Sequence, residues 1–440
     1  MIGNERESLL KRSGSNSDDK DFVQSRIFYQ FWMFVNNVSF GIISSLVGKL
    51  FSDVIDNGHP GRANFYSTLG VSMYSVTSLL ITPLAASLSD DIGRKPIFNL
   101  AIFVNLITGI WFGFYAKNWM FIVLVLAQGA GDNSFPVGYA LLVDYVLANE
   151  NTRTKVPNND NPLLQRICIH FTVGIILQAV GLICGLILGP LLMEVSSIKI
   201  AMSMSGYMYA VFFLFDWPET RQTRKQFSFE VLHYSLRTQW ATFSKVLVKS
   251  RPRVLGFVIC SLQFATSVTL DAEFIQWSTP IKDQVWISQI TVVASLIGSL
   301  WTCFAISHFK ENHVIGAMCS LSAISCFGYL YLTKLACLFT LSFGFGIGCM
   351  PLLFALLTCE ASRHHQGLAQ GLVYFFLTVS MALPRIIKVI TALITDNSTT
   401  IDTVIWVSMA GSLTLSALLM LKENSTSLDS PLVKRNTASV

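Results

Sequence analysis

The sequence predicts an all-α membrane protein of about twelve transmembrane helices in two six-helix bundles. Three observations carry that expectation. The 440 residues are 52% hydrophobic and only 13% charged, with a mean hydropathy of +0.53, whereas soluble domains carry roughly 25% charge. Apolar stretches long enough to cross about 30 Å of hydrocarbon recur along the whole chain. Lysines and arginines collect in alternate connections. A conventional soluble enzyme of this length could not cover its surface with so few charges. No basic stripe with interleaved aromatics points to a nucleic-acid partner, and the apolar composition makes a lipid bilayer the expected surrounding.

The polar segment 1–26 reads as a cytoplasmic tail without a secretory signal peptide. Spans follow at about 27–50, 65–88, 97–115, 119–147, 166–192 and 198–216. A basic linker at 217–252 separates them from a second set at about 253–278, 285–307, 314–333, 335–358, 367–394 and 402–421. The tail 422–440 closes the chain. With the N-terminus cytoplasmic, the inner connections and tails hold 23 of the 31 lysines and arginines. The outer side holds six, Lys49, Arg62, Lys117, Lys199, Lys282 and Lys334, while Arg385 and Lys388 sit inside a span. Both termini are therefore expected in the cytoplasm. The two bundles are expected to be parallel repeats, because Gly129, Gly131, Pro136, Ala140, Leu141 and Leu142 recur in constant register as Gly344, Gly346, Pro351, Ala355, Leu356 and Leu357. The nine cysteines all lie beyond residue 167, mostly in apolar runs. They show neither a C-x-x-C pair nor metal-ligand spacing with histidine, so no metal, cofactor or disulfide framework is expected.

The most specific string is Ala86-Ser87-Leu88-Ser89-Asp90-Asp91-Ile92-Gly93-Arg94-Lys95, at the turn after the second span. Gly93 allows a turn too tight for a side chain, Arg94 and Lys95 hold the loop on the inner face, and Asp90 suits the positive N-terminal end of a neighbouring helix. The string resembles the G-x-L-x-D-R-x-G-R-K loop of the major facilitator superfamily, with Ala86 in place of the first Gly and Asp91 in place of the Arg. The resemblance implies that Asp90, Gly93, Arg94 and Lys95 form a conformational latch between the halves. Gln128-Gly129-Ala130-Gly131 is similar to the family's R-x-x-Q-G-x-G segment, but Val125 stands where that family places an Arg linked to proton coupling. Gly185-Leu186-Ile187-Leu188-Gly189-Pro190 resembles the G-x-x-x-G-P bend of antiporters and also reads as close helix packing through small residues. Gln366-Gly367-Leu368-Ala369-Gln370-Gly371 resembles the start of the eleventh helix in drug-transporter branches. Within the superfamily, Asp144, Arg153, Arg166-Ile167 and Ser250-Arg251-Pro252-Arg253 resemble the proton-coupled folate transporter-like branch, from which the Asn-rich stretch between Pro157 and Pro162 departs.

Polar residues deep in spans are the candidate binding residues. Asn36, Asn37, Gln178 and Gln263 fall near the midplane, where amides offer donors and acceptors to a solute or to a neighbouring helix. Asp132 lies slightly past the middle, placed to exchange a proton or to bond the backbone near Pro136. Arg385 shares a depth with Asp271 and lies one step from Glu273, if the seventh and eleventh helices adjoin. Arg385 then either grips an organic anion while Asp271 or Glu273 takes a proton, or forms a structural ion pair. Glu5-Arg6-Glu7-Ser8-Leu9-Leu10 matches an acidic dileucine sorting signal through Glu5, Leu9 and Leu10, which suits endosomes or lysosomes as well as the plasma membrane.

The expected function is secondary transport of a small organic solute by a monomer, with proton symport of an organic anion first and uniport or proton antiport next. A transporter-shaped receptor or scaffold is the alternative class, since Val125 and Asp91 break the family pattern. No G-x-x-x-x-G-K-[ST] string supports ATP-driven pumping. The His364-His365 pair has no nucleophile or ligand set that would make an enzyme.

Overall fold

The computed structural model describes residues 16–50, 60–114, 118–131, 134–150, 162–215, 217–220, 249–270, 281–331, 336–361, 365–394 and 398–422, with a few isolated positions between 233 and 244. Among the described residues the regular structure is helical. The N-terminal half contains α1 (Asn16–Leu50), α2 (Pro60–Ile92), α3 (Arg94–Phe112), α4 (Asn118–Gly131), α5 (Ser134–Glu150), α6 (Pro162–Val195) and α7 (Ile198–Ala210). The C-terminal half contains α8 (Ser250–Leu270), α9 (Ile281–Ala305), α10 (Glu311–Tyr331), α11 (Ala336–Ile347), α12 (Met350–Cys359), α13 (Gln366–Ile394) and α14 (Ser398–Lys422). Helices α4 and α5 together occupy the fourth expected span, and α11 and α12 the tenth. Between α11 and α12 the chain makes a turn at Gly348 and Cys349, because Pro351 has no N–H to continue the ladder.

Helix α3 explains why these segments belong in lipid. Leu100, Phe103, Ile107 and Trp111 recur at helical spacing along its exposed face. The opposite face buries Asn105 and Thr108 beside Phe98, Ile102 and Phe112. An apolar outside over a partly polar inside is the reverse of a soluble helix. Five segments among the described residues are long and apolar enough to cross a membrane by length and composition, α3 among them. Several helices exceed the bilayer: α1 has 35 residues and α6 has 34, roughly 50 Å each at 1.5 Å per residue, so their ends project beyond the hydrocarbon.

Both halves use the same neighbours. The first expected span packs on the fifth (α1 on α6, α8 on α13), the second on the fourth (α2 on α4, α9 on α11) and the third on the sixth (α3 on α7, α10 on α14). The α1–α6 contact depends on small residues, since a Cβ at Gly185 would overlap the Val38 carbonyl and one at Gly181 the Phe34 carbonyl. The Gly185–Pro190 string is thus used for close packing. Contacts between the halves are also symmetric: α2 packs on α13, α5 on α13, α6 on α9 and α6 on α12. Exchanging equivalent helices of the two halves maps this set onto itself.

Candidate functional site: the contact between the halves

Gly93 separates α2 from α3 with φ +119°, a left-handed backbone that strains any residue with a Cβ. Having no side chain, it cannot cap the helix that follows. Glu219, distant in sequence, caps it instead. The N–H groups of Arg94 and Lys95 donate to Glu219 Oε1 and Oε2 at 2.9 and 3.0 Å. A carboxylate satisfies two orphan donors there and complements the positive end of the helix dipole. The segment bearing Glu219 is anchored by Trp217, which is buried, stacks on Phe28 at 5.1 Å and donates from Nε1 to Asn99 Oδ1 at 3.3 Å. The stretch expected to begin a linker at 217 therefore starts with four residues packed on the N-terminal half.

Arg94 is fully buried and lies between two carboxylates. Its Nε donates to Asp144 Oδ2 at 3.1 Å, its Nη1 donates to Ser89 Oγ at 2.5 Å, and its Nη2 lies 2.8 Å from Asp90 Oδ1. Thr220 Oγ1 donates to the same Asp144 oxygen at 3.3 Å. Asp90 in turn reaches the other half. The N–H groups of Gly367 and Leu368, in the first turn of α13, donate to Asp90 Oδ1 and Oδ2 at 2.9 and 3.0 Å. The carboxylate sits this close because α2 and α13 meet at glycine: a Cβ at Gly367 would overlap the Ala86 carbonyl oxygen and crowd Arg94. Asp90 thus joins the halves through charge-assisted bonds at a helix N-terminus.

Further into the bundle the halves meet through aromatic and thiol groups. Phe135 of α5 stacks on Tyr374 of α13 at 5.9 Å, and Tyr139 of α5 lies edge-on to Phe354 of α12 at 6.4 Å. Cys168 of α6 lies 3.6 Å from Cys303 of α9, Sγ to Sγ.

The C-terminal half has its own ion cluster. Arg251, at the start of α8, lies 3.3 Å from Glu311 at the start of α10 and 3.3 Å from Glu360 just past α12. Glu360 lies beyond the span that ends at Cys359, and burial pushes its carboxyl above the usual range against the pull of Arg251 and Lys249. The internal repeat has a constant offset of 215, which makes Glu360 the counterpart of Tyr145. Tyr145 also meets an arginine of its half's first helix: Arg26 Nη1 donates to its hydroxyl at 3.1 Å and the guanidinium lies 4.8 Å over its ring.

The comparisons agree with this geometry. The family model for the Major Facilitator Superfamily matches residues 33–154. Of the solved structures, the human organic anion transporter TETRAN superposes with a TM-score of 0.68 at 15% identity, covering 91% of this chain and 99% of its own. The fucose:proton symporter FucP of E. coli follows at 0.64 and 13% identity, covering 91% and 99%. The proton:xylose symporter XylE, bound to 6-bromo-6-deoxy-D-glucose, also reaches 0.64 at 13% identity, covering 92% and 96%. The chain has the major facilitator superfamily fold. No curated protein matches it in sequence.

Within that fold the expected latch residues, Asp90, Gly93, Arg94 and Lys95, come together in one cluster. The expected binding residues are dispersed. Asn36 Oδ1 accepts from the buried Tyr209 hydroxyl at 2.6 Å, tying α1 to α7. Asn37 Nδ2 donates to the Met33 carbonyl of its own helix at 2.9 Å. Gln178 Nε2 donates to the Tyr139 hydroxyl at 3.3 Å, beside the contact with Phe354. Gln263 is half-buried on α8. Helices α8 and α13 do adjoin, with Cys260 Sγ donating to the Phe376 carbonyl at 3.5 Å. Asp132, Asp271, Glu273 and the sorting residues Glu5, Leu9 and Leu10 lie outside the described residues, as does the side chain of Arg385. Sequence reasoning missed Glu219, Tyr139 and the Arg251–Glu311–Glu360 cluster, and took Asp144 only as part of a family resemblance. The one available signal for Glu219 was a lone acid between Pro218 and a basic run.

Proposed function

We propose that the chain is a secondary transporter that moves a small organic solute by alternating access, its halves rocking about a site near the membrane midplane. The observation that carries this reading is the seat of Asp90 of one half on the N-terminus of α13 in the other. Opening the bundle at this end breaks two charge-assisted bonds and parts packed helix faces without distorting either half, which suits a two-state contact between rigid bodies. Lysine and arginine placement puts this end, and both termini, in the cytoplasm. The described conformation is then the one closed to the cytoplasm.

Proton symport of an organic anion is the first reading of the cargo. It is supported by the intramembrane residues Asp132, Asp271, Glu273 and Arg385, and by structural neighbours described as an organic anion transporter and as proton symporters. Arg385 takes the anion, a carboxylate takes the proton, and Gln178 and Gln263 complete the amide lining. Asn36 and Asn37 contribute from α1 only if they exchange their hydrogen bonds within the N-terminal half. Kinship with the folate transporter-like branch is the narrowest form of this proposal, resting on the resemblance at Asp144, Arg153, Arg166-Ile167 and Ser250-Arg251-Pro252-Arg253.

The test is flux in reconstituted vesicles across a panel of organic anions, with and without an inward proton gradient. Accumulation driven by the gradient is expected. Equilibration without accumulation identifies a uniporter, and expulsion identifies an antiporter. No flux of any solute overturns the proposal in favour of a receptor or scaffold, the reading favoured by Val125, which is buried against a core containing Phe112, Ala201 and Met202 rather than offering a charge. Asp132→Asn with an unchanged pH dependence removes Asp132 from coupling, and Arg385→Lys with retained anion uptake removes the bidentate grip.

A further inference from the structure

Of the nine cysteines, only Cys168 and Cys184 precede residue 217, and both lie on α6. Cys168 lies roughly 9 Å along α6 from its start at Pro162. Its sulfur is 3.6 Å from that of Cys303, two residues before the end of α9 in the other half. Thr172 Oγ1, one turn further along α6, is 3.1 Å from Cys303 Sγ. Cys168 and Thr172 are buried, while Cys303 retains partial exposure. Cysteines that merely fill a membrane core have no reason to pair across two moving bodies, and this pair lies at the contact that separates when the halves rock.

We infer that Cys168 and Cys303 form a redox-operated cross-link between the halves. This goes beyond the transport reading and rests on it only for its consequence. The pair requires the sulfurs to close from 3.6 Å to about 2.05 Å, a shift within reach of side-chain rotation. The oxidant is hydrogen peroxide, and the partly exposed Cys303 meets it first. The Cys303 thiolate, its proton passed to solvent, attacks the peroxide oxygen, giving a sulfenic acid and, after protonation, one water. The Cys168 thiol then displaces that hydroxyl, forming the S–S bond and releasing a second water. Two thiols are oxidised by two electrons and one hydrogen peroxide is reduced. The bond holds α6 to α9 in the arrangement where Asp90 engages α13, so the closed end stays closed until a thiol reductant arrives.

The experiment reads the link without any solute. A protease site is inserted between Thr220 and Lys249 of the full chain, the purified protein is treated with hydrogen peroxide, cleaved, and run on a gel with and without dithiothreitol. The expected result is that the halves migrate together without reductant and separate with it. Cys184 cannot replace Cys168, since it lies roughly 24 Å further along the same helix. Cys168→Ser and Cys303→Ser should each reduce the linked band to background. Should a variant fold poorly, peptide mass spectrometry of the oxidised wild type decides, with a Cys168–Cys303 linked peptide expected. Halves that separate without reductant, or a band that persists in Cys303→Ser, would overturn the inference. Flux measured before and after oxidation tests alternating access separately: linked halves with no flux under any condition leave the cross-link standing and count against transport.

Discussion

Arg94 opens the third helix of its half and Arg251 the first helix of the other, each at the same end of the bundle and each between two carboxylates, yet only the cluster around Arg94 joins the halves. Arg94 is fully buried, and one of its carboxylates, Asp90, continues across the interface to the backbone of α13. Arg251 is 19% exposed, and the carboxylates described for it, Glu311 and Glu360, belong to its own half. The difference teaches that each half has an ion cluster at this end, while the contact from one half to the other runs through the N-terminal cluster. Tyr145 and Glu360 illustrate this, since the repeat offset aligns them and both meet an arginine of the first helix, one as a neutral ring and the other as an acid.

The largest expected effect breaks the N-terminal cluster. Arg94→Ala leaves Asp90 and Asp144 buried without their cation, a loss of about 3–5 kcal/mol for a buried pair, and the thermal midpoint of the detergent-solubilised protein should fall sharply. Arg251→Ala should cost less, since its partners reach solvent. Equal losses would end the comparison. Gly367→Ala comes next. It forces α2 from α13 at an overpacking cost of about 1–3 kcal/mol, and spin-label distances across this end should lengthen while those within each half do not.

Asp90→Asn keeps the size of the side chain but removes the charge facing the helix N-terminus, worth about 0.3–2 kcal/mol, and leaves one of the two α13 N–H groups without its acceptor. The same distances should then show the open population rising by about twofold to thirtyfold over that range, while the thermal midpoint falls less than in Arg94→Ala, since Asp144 still faces the buried Arg94. If stability falls and the distances hold, Asp90 is a cohesion residue like Glu311. Glu360→Gln should have the smallest effect and opposite sign. Because burial raises the folded-state carboxyl value above the unfolded one, folding favours the neutral form relative to the unfolded chain. Its stabilising contribution is full below the ordinary glutamate range and is lost as pH rises through the raised value. The variant should therefore match wild type in acid and equal or exceed it near neutrality, read as thermal midpoint against pH.

Much of the fold was legible because its causes are local. Span lengths follow from apolar runs, and the described helices overlap every expected span while commonly extending past its ends, since α1 and α6 carry polar residues beyond the hydrocarbon. The contact of Asp90 was legible in part: the sequence around it pointed to a helix N-terminus, but nothing local named α13 or the two N–H groups. The binding residues were the least legible. Asn36 and Gln178 have similar depth and chemistry in the sequence, yet one bonds Tyr209 within its half and the other bonds Tyr139 beside the interface. Depth is additive along one helix, whereas the facing partner depends on how two helices are rotated against each other.

By itself the sequence determined that the chain is helical, carries long apolar runs along its whole length and is punctuated by a tight glycine turn at Gly93. These follow from hydropathy, charge placement and backbone sterics, which act over a few residues. Only the tertiary structure decided that Glu219 caps α3, that Arg94 sits between Asp90 and Asp144, and that Cys168 faces Cys303. Each of these unites residues at least 50 positions apart or from different elements, and such pairs are selected by packing geometry that no window of sequence contains.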